Sequence, residues 1–139
     1  MADRNWNWFG RAHRWVFEKT GGRVGGKLAG IPMLLLSTQG RRSGQWRTTP
    51  LAYMPDGDRC VVLASNNGQD RHPAWWLNLE KNPAGKVQLR GRALDVVGRR
   101  ATPEEREALW PRMIETNPTW QRYPTRTQRD IPVVLLEPR

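Results

Sequence analysis

Basic and hydroxyl-bearing side chains gather in one short stretch directly after an apolar run. The run 34–36 leads into segment 40–44, which reads Gly-Arg-Arg-Ser-Gly, and Arg47 follows it. Arginine side chains bind phosphate or carboxylate groups through two hydrogen bonds at once, and glycines allow main-chain N–H groups to turn towards an anion. The stretch therefore predicts an anion-binding loop, while a solvated basic turn of the same composition is the alternative.

A second set of candidate residues lies in a polar loop and in the short helix after it. Segment 64–68 reads Ala-Ser-Asn-Asn-Gly at the end of an apolar strand, and Trp75, Trp76 and Asn78 follow. Adjacent residues of a helix point about 100° apart, so one tryptophan can pack in the core while the other stays free. Together with the basic loop, these residues predict a site for a flat, charged ligand.

Most familiar catalytic assemblies are excluded by the residue types present. The chain has two histidines, His13 and His72, and one cysteine, Cys60, so the sequence offers no zinc pattern and no intramolecular disulfide. Cys60 lies in an apolar run and is predicted to be a small buried residue. His72 precedes Pro73 in a loop and is interpreted as a surface residue. Nucleophile-elbow, Walker and dinucleotide-binding glycine patterns are absent from the sequence.

The charge of the chain indicates an acidic partner. The formal net charge is +10, and the excess is concentrated in segments 1–31 and 81–100. A fold has no need of this imbalance, whereas nucleic acid, an anionic membrane surface and a multiply charged small molecule are all attracted by it. Eight tryptophans add flat stacking surface that suits heteroaromatic ligands, bases and bilayer interfaces.

The elements that must position these residues are expected to form one domain of 139 residues, in which strands predominate. Apolar spacing predicts an amphipathic helix over 6–19, followed by a glycine-rich basic linker. Thr102 begins a capping box for a later helix, and Pro111 inside that helix is expected to kink it. Strands are predicted at 33–38, 46–54, 59–65, 86–90, 93–97 and 131–136. With a short helix from Pro73, this pattern favours a small antiparallel barrel with covering helices.

Four motifs, in order and correctly spaced, carry a resemblance to a known family. They are Gly40-Arg41-Arg42-Ser43-Gly44 with Arg47 and Pro50, Ala64-Ser65 with Gly68, segment 73–79 with Asn82-Pro83, and segment 101–106 with Trp110-Pro111. From about Ile31 to Pro138 the chain resembles the deazaflavin (F420)-dependent nitroreductases and quinone reductases of actinobacteria. The resemblance implies an α+β fold, a six- to seven-stranded antiparallel split β-barrel of the FMN-binding type with an N-terminal helix and covering helices. Residues 1–31 would form the helix and linker, and residues 32–139 the cofactor-binding barrel.

The resemblance also implies coenzyme F420 as the cofactor and assigns residues to it. The phospholactyl oligoglutamate tail would be held by Arg41, Arg42, Ser43 and Arg47. Thr48, Thr49 and Pro50 would line one side of the deazaflavin ring, and Ala64, Ser65 and Asn66 the other. The pocket would be closed by Ala74, Trp75 and Asn78. The candidate catalytic residues are Ser65, Trp120 and Tyr123. The implied reaction is hydride transfer from C5 of the reduced deazaflavin to a quinone or another electron-poor conjugated acceptor, with the protein supplying orientation and charge placement.

Two departures from the family pattern narrow the expected chemistry. Asn66 stands where the pattern has a lysine, which removes one anion-binding charge. Segment 117–123 keeps Tyr123 alone of the tyrosines around the substrate, and Trp120 can stack on a substrate but does not readily give up a proton. Quinone reduction is therefore favoured over nitroreduction.

Other interpretations stay open at the sequence level. The same barrel can bind FMN in place of F420. A basic β-barrel with exposed tryptophans can bind single-stranded nucleic acid, although no paired aromatic motif of the usual RNA-binding type is visible and no nucleic-acid partner is expected. A third alternative is a binding or carrier protein for F420 or fatty acyl compounds, which would bind F420 without turnover.

The N-terminal residues bear on where the protein works. They lack the apolar core of a signal peptide, and no apolar run approaches the eighteen or so residues of a membrane span, so a cytoplasmic protein is expected. The first helix is interpreted as packing against the domain, as a substrate lid or as a peripheral membrane contact. A monomer and a homodimer are both compatible with the sequence.

Overall fold

The computed structural model describes Lys27, Leu28 and residues 30–139, and within them eight strands and two α-helices. The predicted helix over 6–19 and most of the predicted linker lie outside these residues. The strands are β1 (Lys27–Leu28), β2 (Ile31–Gln39), β3 (Trp46–Ala52), β4 (Met54–Asp56), β5 (Arg59–Leu63), β6 (Ala84–Leu89), β7 (Arg92–Arg100) and β8 (Val133–Pro138). The α-helices are α1 (Ala74–Lys81) and α2 (Pro103–Thr116), and 3-10 helices span Asn66–Gly68 and Pro118–Thr125.

Antiparallel pairing joins the strands into a ring. β2 pairs with both β3 and β6, and β7, β8, β5 and β4 follow β6 as successive neighbours. β3 and β4 are consecutive along the chain, separated by Tyr53, whose N–H donates to the carbonyl of Pro32 at 3.0 Å. β3 pairs with β2 at one end of the sheet, and β4 pairs with β5 at the other end. Because β3 and β4 are consecutive, they join the two ends and the sheet closes on itself. The predicted α+β antiparallel split barrel is confirmed, with the strand predicted over 46–54 divided at Tyr53.

Other differences from the predicted boundaries lie at strand ends. β7 continues to Arg100 rather than ending at Val97, because its last residues pair with β8. β8 begins at Val133 rather than at position 131, and its pairing with β5 starts at the Leu63–Val133 pair. β1, which falls within the predicted linker, pairs with the start of β2 around Gly30 at φ +83°.

Two hydrophobic clusters lie on opposite faces of the same strands. Successive side chains of a strand point to opposite faces, and β5 and β8 are apolar on both. The first core cluster fills the barrel and includes α1; its buried members are Leu34, Leu36, Cys60, Val62, Ala64, Trp75, Trp76, Leu79, Val87, Val96, Val134 and Leu136. The second core cluster packs α2 against the outer face; its buried members are Met54, Val61, Leu63, Ala101, Leu109, Met113, Trp120, Ile131, Val133 and Leu135.

Helix α1 lies close against the barrel because two of the strand positions that face it are glycines. A Cβ atom at Gly98 would come within 2.8 Å of Leu79 Cδ1, and one at Gly85 within 3.6 Å of Leu79 Cδ2. The close approach buries both tryptophans of the helix, with Trp75 8% exposed and Trp76 5% exposed. The spacing of the two tryptophans allowed one to be buried and the other to stay exposed, but both are buried.

Helix α2 begins as predicted. The Glu105 N–H donates to Thr102 Oγ1 at 3.1 Å, and the Thr102 N–H donates to Glu105 Oε1 at 2.9 Å, which completes the capping box. The helix continues through Pro111 to its end at Thr116. Its apolar face buries Leu109 in the second core cluster.

The single cysteine is a core residue, as predicted. Cys60 is 5% exposed, and burial raises the pKa of its thiol to about 11, so the nucleophilic thiolate is disfavoured at neutral pH. Among the described residues, no helix has both the length and the apolar character that crossing a membrane requires.

Candidate functional site

A cleft of about 660 Å³ opens between the start of α1, the loop before it and strands β2 and β3. Its volume is typical of a small-molecule site. Three of the residues that line it are arginines, and none of those described has a carboxylate. The lining residues are Thr38, Arg41, Arg47, Thr49, Asn66, Gln69, Arg71, His72, Pro73, Ala74, Trp75, Leu77 and Asn78. The cleft therefore combines positive charge with an apolar wall.

Strand alternation decides which residues of β3 reach the cleft. Arg47 and Thr49 line it, whereas Thr48 lies on the opposite face, where its Oγ1 is 2.7 Å from Ser37 Oγ. Pro50 is exposed and is not among the lining residues. Of the three consecutive residues predicted to line a ring, the structure brings Thr49 to the cleft.

The loop between β2 and β3 is a tight turn. The N–H of Gly40 donates to the carbonyl of Gln45 at 2.7 Å, and the N–H of Gly44 donates to the carbonyl of Gly40 at 2.8 Å. Gly44 has φ +72°, a conformation that glycine adopts without steric cost. Ser43 Oγ accepts a hydrogen bond from the Gln45 N–H at 3.1 Å, so this hydroxyl oxygen helps to close the turn.

The turn divides its arginines between two surfaces. Arg41 lines the main cleft, and it also borders a more open depression of about 560 Å³. Arg42 and Ser43 face that second depression, together with Lys81 of α1. The residues predicted to bind a phosphate and a carboxylate tail therefore form two adjacent basic surfaces that meet at Arg41.

Helix α1 holds Arg41 in place through its polar side chains. Asn78 is 4% exposed, and its Oδ1 accepts hydrogen bonds from the Arg41 main-chain N–H at 3.1 Å and from Arg41 Nη1 at 3.3 Å. The Asn78 amide donates to Thr38 Oγ1 at 3.1 Å, and Lys81 Nζ donates to the Arg41 carbonyl at 2.8 Å. Asn78 thus lines the cleft and at the same time fixes the position of an arginine.

The opposite wall of the cleft begins with a left-handed turn. Asn66, Asn67 and Gly68 have φ values of +46°, +56° and +76°. Asparagine tolerates this region better than most residues, and only glycine fits at the third position, because a Cβ atom there would lie 2.8 Å from Arg126 Cβ. A run of this kind needs outside support to persist.

Arg129 supplies that support. Its guanidinium donates to the carbonyl oxygens of Ser65 at 2.9 Å, Ala64 at 3.2 Å and Gln69 at 2.8 Å. Arg129 Nη1 also lies 3.0 Å from His72 Nδ1, so one side chain holds both ends of the 64–72 loop. Burial lowers the pKa of Arg129 from its usual value, although the guanidinium stays protonated.

The sequence did not indicate a role for His72 or Arg129. His72 is half-buried and lines the cleft, rather than lying free on the surface. Burial lowers its pKa, and the charge of Arg129 lowers it further. No local signal marks this pair, because the two residues are 57 positions apart in the chain. Gln69 and Arg71 were also missed as lining residues, although their place in a polar loop next to segment 64–68 offered a signal.

Comparison with known proteins decides the family. The family model described as F420H(2)-dependent quinone reductase matches residues 8–138. The chain belongs to this family. An F420H(2)-dependent quinone reductase of Mycobacterium tuberculosis is 36% identical over 133 residues, which cover 93% of this chain and 89% of that protein.

Solved structures of similar chains agree with the fold. An F420-H2 dependent reductase (FDR-A) is 36% identical, with a TM-score of 0.70 and coverage of 76% of this chain and 94% of that one. A second structure, described as a domain-swapped dimer, is 33% identical, with a TM-score of 0.71 and coverage of 91% of this chain and 99% of that one.

The residues that the family resemblance names as catalytic are not brought together in the cleft. Ser65 offers its carbonyl to Arg129 and is not among the lining residues. Trp120 is 4% exposed and belongs to the second core cluster, and Tyr123 is half-buried against the same cluster, with the Arg126 guanidinium 5.5 Å from its ring centre. Ala64 is fully buried and contacts Arg129 through its main chain.

Seven of the predicted cofactor-binding residues do line the cleft. They are Arg41, Arg47, Thr49, Asn66, Ala74, Trp75 and Asn78. Within the part of the chain that the structure describes, no group of three or more histidine, cysteine, aspartate or glutamate side chains is placed to hold a metal ion.

Proposed function

We propose that this chain is an F420-dependent oxidoreductase that reduces a quinone-like acceptor by hydride transfer. The observation that carries the proposal is the cleft itself, because in a chain of this family it joins three arginines to an apolar wall, with no carboxylate among the lining residues that the structure describes. Such a donor set fits a cofactor with a flat ring and an anionic tail. When bound, reduced F420 supplies the hydride; the side chains of the protein bind and orient it.

The charged part of the cofactor is assigned to the arginine side of the cleft. Arg47 and Arg41, which line the cleft, would bind phosphate or carboxylate oxygens, and the depression with Arg42, Ser43 and Lys81 would add positive charge for the glutamates. Since Arg41 borders both surfaces, a tail leaving the cleft past Arg41 reaches the second one directly. Its fixed position, set by Asn78, reduces the conformational entropy that binding must overcome.

The flat part of the cofactor is assigned to the apolar side. Thr49 lies next to Arg47 along the cleft-facing side of β3, and Ala74 and Trp75 stand opposite at the start of α1. Trp75 belongs to the first core cluster, so this wall is rigid. A rigid wall can hold a ring and an acceptor in fixed orientation, which is the chief contribution of a protein to hydride transfer.

A quinone is the favoured acceptor class. None of the described residues that line the cleft is a tyrosine, and Tyr123 packs against the second core cluster. A reaction that needs a tyrosine proton, as nitroreduction was expected to, finds no such donor in the described part of the cleft. The oxygens of a reduced quinone can instead take their proton from water.

Fluorescence titration with F420 tests the proposal. Purified protein should change the fluorescence of F420 with saturation, and reduced F420 should be oxidised when menadione is added with the protein. A protein that binds no F420 at low salt would contradict the proposal. Retention of a yellow flavin through gel filtration would favour the FMN alternative, and binding without turnover of any acceptor would indicate a carrier.

The oligomeric state is a separate proposal. A structural relative is described as a domain-swapped dimer. We expect a monomer or a homodimer, and light scattering after size-exclusion chromatography distinguishes the two.

A further inference from the structure

We propose that His72 is a neutral hydrogen-bond donor to a ligand carbonyl oxygen in the cleft, and that Arg129 is the positioning residue that fixes its tautomer. The inference rests on the proposed function. It starts from the 3.0 Å contact between Arg129 Nη1 and His72 Nδ1, and from the place of His72 in the wall of the cleft.

The contact determines which ring nitrogen carries the proton. A guanidinium has donors only and stays protonated, so the nitrogen that faces it must accept. Nδ1 of His72 is therefore unprotonated, and the proton of the neutral ring is on Nε2. Nε2 has no hydrogen-bond partner within the described residues, which leaves its N–H for a ligand.

The surroundings keep the ring neutral at pH 7. Burial lowers the pKa of His72, Arg129 lowers it further, and Arg100 on β7 acts in the same direction. Glu80 on α1 and Asp130 next to Arg129 oppose this shift, but Asp130 is itself paired with Arg100. Protonation of Nδ1 would also place an N–H against a guanidinium donor, which breaks the hydrogen bond that holds the ring.

A neutral imidazole at this position is a hydrogen-bond donor rather than an acid. If the neutral ring gave up its Nε2 proton, it would become an imidazolate anion. This anion is too strong a base to form at neutral pH. It can instead polarise a carbonyl and stabilise the negative charge that develops on the oxygen, as preorganised donors do in other enzymes. The proton stays on Nε2 throughout.

A carbonyl oxygen of this kind belongs to the acceptor or to the cofactor ring. Addition of hydride gives the quinone two electrons and one hydrogen, so one of its oxygens becomes an oxyanion, and a proton from water then completes the hydroquinone. A donor that faces this oxygen stabilises it most when the charge has developed, and its loss lowers turnover. A donor that faces a carbonyl of the cofactor ring would instead support cofactor binding.

Two variants separate these cases from a structural role. His72→Phe keeps a planar ring and has no donor. His72→Gln restores a neutral amide that can accept from Arg129 and donate into the cleft. Thermal unfolding of each variant checks that it folds. The measurements are F420 affinity by fluorescence, and kcat and KM for menadione between pH 4.5 and 8.

The expected result is a loss in His72→Phe that His72→Gln largely restores. We expect kcat/KM for menadione to fall about tenfold in His72→Phe, the effect of losing one hydrogen bond to a charged oxygen. Unchanged F420 affinity then assigns the donor to the acceptor, whereas a matching loss of F420 affinity assigns it to the cofactor. In the wild type, the rate of menadione reduction should fall when the pH drops far enough to protonate His72, which is below the usual pKa of histidine. The His72→Gln variant cannot be protonated in this way and should not show the fall.

Nuclear magnetic resonance of the protein labelled with ¹⁵N-histidine gives a readout that is independent of activity. The His72 signals, identified by their loss in His72→Phe, should show the Nε2–H tautomer and a pKa below 6.5. An Nδ1–H tautomer, a cationic ring at pH 7, or a folded His72→Phe variant with wild-type kinetics and F420 affinity would each overturn the inference. A wild type that binds no F420 would instead overturn the proposed function, a result that does not depend on either variant.

Discussion

The two walls of the cleft differ in how the chain builds them. Arg47 and Thr49 belong to β3, which pairs with β2 over its whole length across a short turn. The 64–72 loop has no ladder of its own, and Arg129 holds it through four groups that are distant in sequence. The first wall is local and follows from the hairpin, while the second depends on the packing of the segment that carries Arg129. We therefore expect the second wall to be the more sensitive to substitution.

The largest loss of stability is expected from Trp120→Ala, which removes a buried side chain that anchors the segment leading to Arg129. Trp120 is 4% exposed within the second core cluster, and truncation of a buried tryptophan costs about 3–5 kcal/mol of stability. Urea unfolding measures the loss, with Trp120→Phe as the milder control. A well-folded Trp120→Ala protein with altered acceptor preference would contradict this and favour the substrate-stacking role that the family resemblance implies.

Arg129→Met should affect the second wall directly. The carbonyls of Ala64, Ser65 and Gln69 lose their shared donor, and we expect stability to fall by about 2 kcal/mol. F420 affinity should fall by up to about 30-fold, because binding must then supply the free energy that orders the loop. The exposed Arg122→Met is the matched control for loss of one positive charge. Equal effects of both variants would refute the distinction between the walls.

Arg47→Ala tests the first wall. The hairpin should remain intact, and we expect F420 affinity to fall about tenfold through loss of one charge-assisted contact. A deazaflavin without the phosphate and glutamate tail should bind almost as before, because Arg47 is assigned to the tail. Arg90→Ala, on the exposed turn between β6 and β7, controls for net charge. If Arg47→Ala weakens both ligands equally, the arginine contacts the ring instead.

The smallest effect on stability and on F420 binding is expected at the ion pair between Arg99 and Glu105, which lies away from both walls of the cleft. Two hydrogen bonds of 2.8 Å join these side chains, and Arg99 lowers the pKa of Glu105 to about 2. Because the folded pKa is below the unfolded value of about 4.5, this contribution is complete above pH 4.5 and is lost as the pH falls towards 2.

Glu105→Gln, which can keep the cap on Thr102, should remove that pH dependence and leave F420 binding unchanged. Thermal unfolding between pH 2 and 7 measures the first effect, and fluorescence titration measures the second. A change in F420 affinity would show that the outer face of the barrel is coupled to the cleft.

Much of the fold could be predicted because its signals are local. Apolar runs marked the central strands, the Thr102 capping box marked the start of α2, and the spacing of four motifs indicated the family. The same local rules explain part of the cleft, since alternation along β3 separates Thr49 from Thr48 once one face is known to be buried. The break at Tyr53 was missed because it marks the point where the chain changes its pairing partner from β2 to β5, and β5 lies beyond the next turn of the chain.

The sequence by itself determined a basic split barrel of the F420H(2)-dependent quinone reductase family, with a cationic turn after its first long strand. Only the tertiary structure decided that Trp120 packs in the core, that both Trp75 and Trp76 are buried, and that His72 meets Arg129 beside the cleft. The reason is physical. Helix, strand and turn preferences act over a few neighbouring residues, whereas burial and the tautomer of a histidine depend on whichever distant residues the closed barrel brings into contact.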